Sequence, residues 1–340
     1  MTNLLKSRFQ LIFPQCALLI AFLLPSAALA DTWQIQVGAQ NGNRAHQALA
    51  FLPNEVWIHA NDSITWSFPS NEVHTVTFLA LGQVRPNRFT GCAGGMPPDG
   101  RTLDSSVFDN STCVNSGILT DADGKTYTVI FPTIGNFKLV CLAHPNMTAT
   151  VHVLDSSAPL PHDQAFYDRQ ADRQRADLLS EARASAHVHQ ENDDHAVVAG
   201  AGEIIGTGGG TETASVMRFM DAVKVIHVGE TVEWTTAEAV TSHTITFGPE
   251  PDNQHQIPPS LNVTTDADGA RHAYLSSPSD AVHSGFITEL PQDRTGLAQA
   301  PFNLNSATRF RATFTQPGIY QYKCVLHDEL GMTGVVIVLP

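Results

Sequence analysis

The chain has 340 residues, long enough for two or three domains, and carries a formal charge of -14 at pH 7. That acidity argues against nucleic acid or anionic lipid as a partner. With 20 prolines and 24 glycines beside an apolar fraction of 42%, the composition suits a turn-rich β protein.

The N-terminus reads as a secretory signal over residues 1–30. Lys6 and Arg8 give a positive start, Leu11 to Leu24 is mostly apolar, and Ala28-Leu29-Ala30 is a small-x-small cleavage site before Asp31. The apolar run contains Pro14 and Gln15 and is short for a membrane span. An uncleaved anchor is the alternative. Removal implies a periplasmic or extracellular protein with no membrane span, and takes Cys16 with it.

Residues 31–155 read as a β domain. Val56 and Ile58, and Ile64 and Trp66, fall at every second position, and Thr75 to Phe78 and Tyr127 to Phe131 show the same period with β-branched and aromatic residues. Phe137 to Cys141 reads as a buried strand and Thr148 to Leu154 as a closing one. Short strands with turns between them predict an antiparallel sandwich. A long excursion, about 80–125, interrupts it. In an oxidising compartment thiols are paired or metal-bound. Cys92 and Cys113 both fall in this polar excursion, where a disulfide would staple a loop short of core. Two free thiols are the alternative.

Residues 156–196 differ in composition. Gln164 to Ala186 is rich in Ala, Arg, Asp, Gln and Glu, with Phe166, Tyr167, Leu178 and Leu179 as its large apolar residues. This predicts either a charged amphipathic helix packed on one face or a semi-rigid linker. His187-Val-His189 and His195 follow, in a tract read as solvated. Gly206-Thr-Gly-Gly-Gly210 reads as a flexible lead-in to what comes next, and lacks the ending of a phosphate-binding loop.

Residues 197–340 repeat 31–155. Phe51 to Trp66 lies without gaps over Phe219 to Trp234, with Phe, Ile, His and Trp at the same places. His74-Thr-Val-Thr-Phe78 matches His243-Thr-Ile-Thr-Phe247, and Met147-Thr-Ala-Thr-Val matches Met332-Thr-Gly-Val-Val. Ser116-Gly117-Ile-Leu aligns with Ser284-Gly285-Phe-Ile. Strands are expected over Tyr320 to Val325 and Thr333 to Leu339, and a second excursion covers about 248–308. This is one domain present twice, not a short-period solenoid.

Each copy carries a histidine, then Cys-x-x-His, then a methionine: His74, Cys141, His144 and Met147, and again His243, Cys324, His327 and Met332. Two imidazoles and a thiolate in a plane, with a weak axial thioether, make a blue-copper electron-transfer site. Each residue alone has a plainer reading as core filler, a satisfied histidine or a buried thiol. The recurrence of the whole set favours copper. Zinc prefers four strong ligands, and methionine is not one of its usual donors. His144 and His327, in the terminal loops, are the expected exposed edges for electron exit. His59 and His227 coincide between the copies beside the ligand strand and read as structural.

Both copies resemble cupredoxins, the plastocyanin/azurin-type blue copper domains. Lys224-Val-Ile-His-Val-Gly-Glu-Thr-Val-Glu-Trp234 follows the family segment that precedes the first histidine ligand, and the first copy has Asn61-Asp62 where the family has Gly-Asp. Cys324 to Met332 has a plastocyanin-like loop length, and Cys141 to Met147 the shorter amicyanin-like one. The resemblance implies an all-β fold of two tandem Greek-key β-sandwich domains joined by a partly helical linker. It also implies one type 1 copper per domain, up to two in all.

Two-domain cupredoxins include enzymes. Multicopper oxidases and copper nitrite reductases, as families, place a histidine beside the copper-binding cysteine, whereas Val140, Leu142, Lys323 and Val325 occupy those positions here. The sequence therefore favours an electron carrier with redox protein partners; the negative charge permits docking to a basic surface, and solubility is its plainer reading. A copper storage, scavenging or delivery protein is the alternative, as is a copper oxidoreductase with an unrecognised centre.

Overall fold

The computed structural model describes residues 30–86, 92, 106–124, 126–189, 193–238, 240–251, 259–289 and 306–340. The expected signal segment falls outside them except for residue 30, as do parts of both excursions. The first copy contains β1 (Thr32–Gln40), β2 (His46–Leu52), β3 (Glu55–His59), β4 (Ser63–Ser67), β5 (Thr77–Phe78), β6 (Ser106–Val107), β7 (Val114–Asn115), β8 (Thr126–Ile130), β9 (Gly135–Val140) and β10 (Thr148–Leu154). Helix α1 (Gln164–Val188) follows. The second copy contains β11 (Ala196–Gly206), β12 (Thr211–Met220), β13 (Val223–His227), β14 (Thr231–Ala237), β15 (Thr246–Phe247), β16 (Thr264–Thr265), β17 (Arg271–Leu275), β18 (Val282–His283), β19 (Phe310–Phe314), β20 (Gly318–Lys323) and β21 (Thr333–Leu339).

Each copy is a two-sheet sandwich. In the first, β2-β1-β4-β8-β6 faces β3-β10-β9-β5-β7; in the second, β12-β11-β14-β19-β17-β16 faces β13-β21-β20-β15-β18. Period-two alternation drives this. In β3 and β4 the buried residues are Val56, Ile58, Ile64 and Trp66, and their neighbours are half-exposed. Trp66 lies 5.7 Å from Phe78, and its counterpart Trp234 lies 5.9 Å from Phe247, each at the centre of a separate core. Truncating either tryptophan to alanine would cost roughly 3–5 kcal/mol.

The strands are not purely antiparallel, as the turn-rich pattern suggested. β1 pairs β4, β3 pairs β10, and their counterparts β11–β14 and β13–β21 pair, all in parallel. Each of these parallel pairs is joined by a crossover through the other sheet, whereas β1–β2, β9–β10, β11–β12 and β20–β21 are antiparallel neighbours in sequence.

The two copies share one continuous sheet. β2 pairs antiparallel with β12, placing Leu49 opposite Thr213 and His46 opposite Val216, so the eleven strands run unbroken across the seam. Helix α1 lies over this join against β1, β2, β11 and β12. Asp163 caps it by accepting from the Phe166 N–H at 2.8 Å. Tyr167, Ala171, Leu178, Ala182 and Ser185 form its buried stripe, set on a seam rich in Ala39, Ala48, Ala50, Ala201 and Ala214. Of the two sequence-based alternatives for this region, the packed helix is the one present. Among the described residues no helix is long and apolar enough to cross a membrane.

Gly206 to Gly210 is not a lead-in, because β11 already precedes it. It turns β11 into β12 and packs on the first copy. Gly209 touches the backbone of Asn54, where a Cβ would stand 2.1 Å from the carbonyl oxygen, and its own carbonyl accepts from Thr150 Oγ1 at 2.7 Å.

Candidate metal centres

In each copy the first histidine is positioned by an isolated β-bridge. His74 exchanges backbone hydrogen bonds with Leu119, and His243 with Ile287. Ser116 and Ser284 brace these bridges from below, each hydroxyl accepting a backbone N–H at 2.8 Å. The next residue clamps the cysteine strand: Thr75 Oγ1 accepts from Leu142 N at 2.7 Å, and Thr244 Oγ1 from Val325 N at 3.0 Å. The N–H groups of Thr75 and Thr244 donate to the sulfurs of Cys141 and Cys324 at 3.3 and 3.4 Å. The loop ends are closed by hydrogen bonds from Cys141 N to Met147 O and from Cys324 N to Met332 O, at 3.0 and 3.1 Å.

These devices bring residues far apart in sequence together. His74, Cys141 and His144 present donor atoms within 4.8 Å of one another, as do His243, Cys324 and His327. In the first set Cys141 Sγ lies 3.7 Å from His144 Nδ1. In the second, Cys324 Sγ lies 3.9 Å from His243 Nδ1 and 3.4 Å from His327 Nδ1, and the two Nδ1 atoms are 3.2 Å apart. Met147 and Met332 are fully buried in the same cores as the cysteines. Cys92 and Cys113 are joined in a disulfide.

Burial alone would raise the Cys141 thiol, but His144 and His74 beside it outweigh that and hold it well below the usual thiol range. Burial pushes His74 and His243 down. His144 is raised to about 9, because Cys141 and Glu72 together overcome its burial. The surroundings of the first pocket favour the thiolate over the thiol, and the thiolate is the form that binds soft metals. His74 Nδ1 is buried with no hydrogen-bond partner while its Nε2 meets Ser70 Oγ at 3.1 Å. A buried, unpaired ring nitrogen beside a thiolate and a second imidazole is what a soft-metal site requires. The donor set fits copper.

His144 and His327 are not the exposed edges their loop positions suggested. They are 2% and 3% exposed, because the two copies bury these loops against each other. Leu330 of the second loop packs in the first copy's core with Met217 and Val240, and Arg44 donates to the Glu329 carbonyl at 3.2 Å. Glu72 also lies in this seam; opposing its burial, His327, His144 and His74 hold its carboxyl down at about 2. His59 pairs with the Ala158 carbonyl at 2.8 Å and His227 is mostly exposed, both outside the donor sets.

Several contributors lie outside the residues that the sequence singled out. Arg85, from the first excursion, donates to the carbonyls of Cys141, His144 and Pro145 and so holds the ligand loop. Gly38 and Gly200 lie against the His74 and His243 rings. The shared Gly-Ala pair, Gly38-Ala39 and Gly200-Ala201, was the available clue.

Glu238, from the second copy, is 1% exposed and accepts from the Ser215 hydroxyl and from Val240 N at 3.1 Å. Burial raises its carboxyl to about 7. The folded protein therefore holds this proton more tightly than the unfolded chain, and loses stability as pH climbs from about 4.5 to about 7. In metal-free protein, Glu238→Gln should remove about 3 kcal/mol of that pH dependence. Urea unfolding of parent and variant on either side of the window checks it. Equal slopes would mean Glu238 titrates normally.

Compared with protein families and with curated proteins, the sequence matches none. Among solved structures it is similar to plastocyanin from Dryopteris crassirhizoma, at 18% identity over 42% of this chain and 99% of that one, with a TM-score of 0.21. It is similar to the Cu-containing nitrite reductase of Thermus scotoductus SA-01, at 12% identity over 91% and 68%, TM-score 0.20. A multicopper oxidase, mgLAC, aligns at 13% identity over 92% and 88%, TM-score 0.21. At such TM-scores these likenesses carry no argument. The repeated two-sheet sandwich stands on the strand order and on the matching bridges at His74 and His243.

Proposed function

We propose that the protein is a secreted or periplasmic electron-transfer protein holding one type 1 copper in each copy. His74, Cys141, His144 and Met147 are the ligands of one centre, and His243, Cys324, His327 and Met332 those of the other. Bound copper would supply a one-electron couple. The cysteines would hold copper through soft thiolates, the histidines would fix its position, and the methionines would tune its potential as weak thioether donors. Thr75 and Thr244 steady the sulfurs through their N–H groups. The redox partner is a protein with a basic face, drawn to the net negative charge.

The observation that carries this reading is the convergence, twice, of a buried cysteine and two buried histidines inside a braced sandwich. Their complete burial favours a carrier over a copper store, because ligands locked in a core release metal slowly. Copper titration followed by visible absorption tests it. Two equivalents should develop an intense thiolate-to-copper band. Binding without such a band, or no binding, would overturn the proposal.

A further inference from the structure

The histidine edges turned inward at the seam meet a single carboxylate. Glu72 Oε1 lies 3.3 Å from His144 Nε2, and Glu72 Oε2 lies 3.7 Å from His327 Nε2. All three side chains are 4% exposed or less. The opposite nitrogen of each ring, Nδ1, faces its own cysteine sulfur. A continuous line therefore runs from Cys141 through His144, Glu72 and His327 to Cys324, crossing from one copy to the other. The repeat supplies only one such group. Thr241 stands where Glu72 has its counterpart, and its buried hydroxyl has no partner.

We infer that Glu72 is a positioning residue shared by both centres and couples them into one unit. The inference rests on the copper reading above. A carboxylate accepting from Nε2–H fixes the tautomer, leaves the Nδ1 lone pair directed at the metal pocket, and makes the ring a better donor. Here one carboxylate reaches His144 Nε2 at 3.3 Å and faces His327 Nε2 as an ion-pair partner at 3.7 Å, so whatever shifts it toward one ring draws it from the other. Such coupling is reciprocal: filling either centre alters the affinity of the other by the same factor. The seam is rigid enough to transmit it, because β2–β12 pairing and the seated Leu330 fix the two loops against each other.

The test uses copper(II) as the probe on the full chain, comparing parent, Glu72→Gln, and each in a Cys324→Ser background. Glu72→Gln should weaken copper binding at both centres by about 10–100-fold. It should also shift both sets of copper hyperfine splittings in electron paramagnetic resonance. In the parent, the spectrum and midpoint potential of the first centre should differ between the intact protein and Cys324→Ser. In the Glu72→Gln background that difference should vanish. A purely structural role would not move the potential in this paired fashion. Should Glu72→Gln not fold, the parent and Cys324→Ser alone still decide: a first centre indifferent to the second overturns the coupling. A response at only one centre also overturns it. Failure of the parent to form a thiolate-to-copper band would instead sink the copper reading itself.

Discussion

Replacing Cys324 by serine in the copper-loaded protein should remove about half of the visible charge-transfer band, and replacing Cys141 should remove the other half. The band arises from the thiolate, and an alcohol oxygen is a hard donor that stays protonated at neutral pH. The fold should survive. Serine is close in volume, and the Thr244 N–H that donates to Cys324 Sγ at 3.4 Å can donate to an oxygen instead. The residual band belongs to the untouched copy, so the two variants should give different spectra. The loops differ in length, Cys141 to Met147 being shorter than Cys324 to Met332, so the two methionines would be presented to their centres from different loops. The double variant should be colourless. An unchanged band in either single variant would remove that cysteine from the ligand set.

Such a sharp expectation is possible because much of the architecture is written locally. Val56, Ile58, Ile64 and Trp66 alternate strictly, so β3, β4 and the core residue Trp66 could be read directly. The pairing of His74 with Cys141 needed more, since nothing local joins residues so far apart. The repeat supplied it, because chance does not place His243 in front of Cys324 in a matching frame.

What the sequence concealed belongs to the seam. β2 and β12 look like ordinary strands, and nothing in their residues says that each completes a sheet begun in the other copy. The burial of His144 and His327 follows from that join. A loop histidine in a lone domain has a free edge, and only the second copy's presence takes it away. Glu72 was hidden for a related reason. In Ser70-Asn-Glu-Val-His74 no pattern marks it, and its counterpart Thr241 breaks the repeat that exposed the ligands. The parallel pairings β1–β4 and β11–β14 were missed because alternation reports which face is buried and not the direction of the neighbour.

Gly200→Ala should destroy the second centre while leaving the first intact, and Gly38→Ala should do the converse. Both glycines lie at a register shift, between Val37 and Ala39 in β1 and between Ala199 and Ala201 in β11. Both have left-handed backbones, φ +71° and +74°. A Cβ at either would stand 2.2 Å from the Nε2 of His74 or His243, so the ring must swing away from its cysteine. Two penalties combine. The backbone conformation costs roughly 1–2 kcal/mol for an L side chain. Forcing an extra carbon into a filled site costs about 1–3 kcal/mol more. Gly269→Ala separates them, since Gly269 has φ +84° and nothing within 4 Å of the added carbon. It should lower thermal stability by the backbone share alone and keep both copper equivalents. Gly200→Ala should lose more stability and titrate with a single equivalent. Were it to bind two equivalents with an unaltered band, His243 would not be a ligand, and the bulge would be a feature of the sheet rather than a seat for the imidazole.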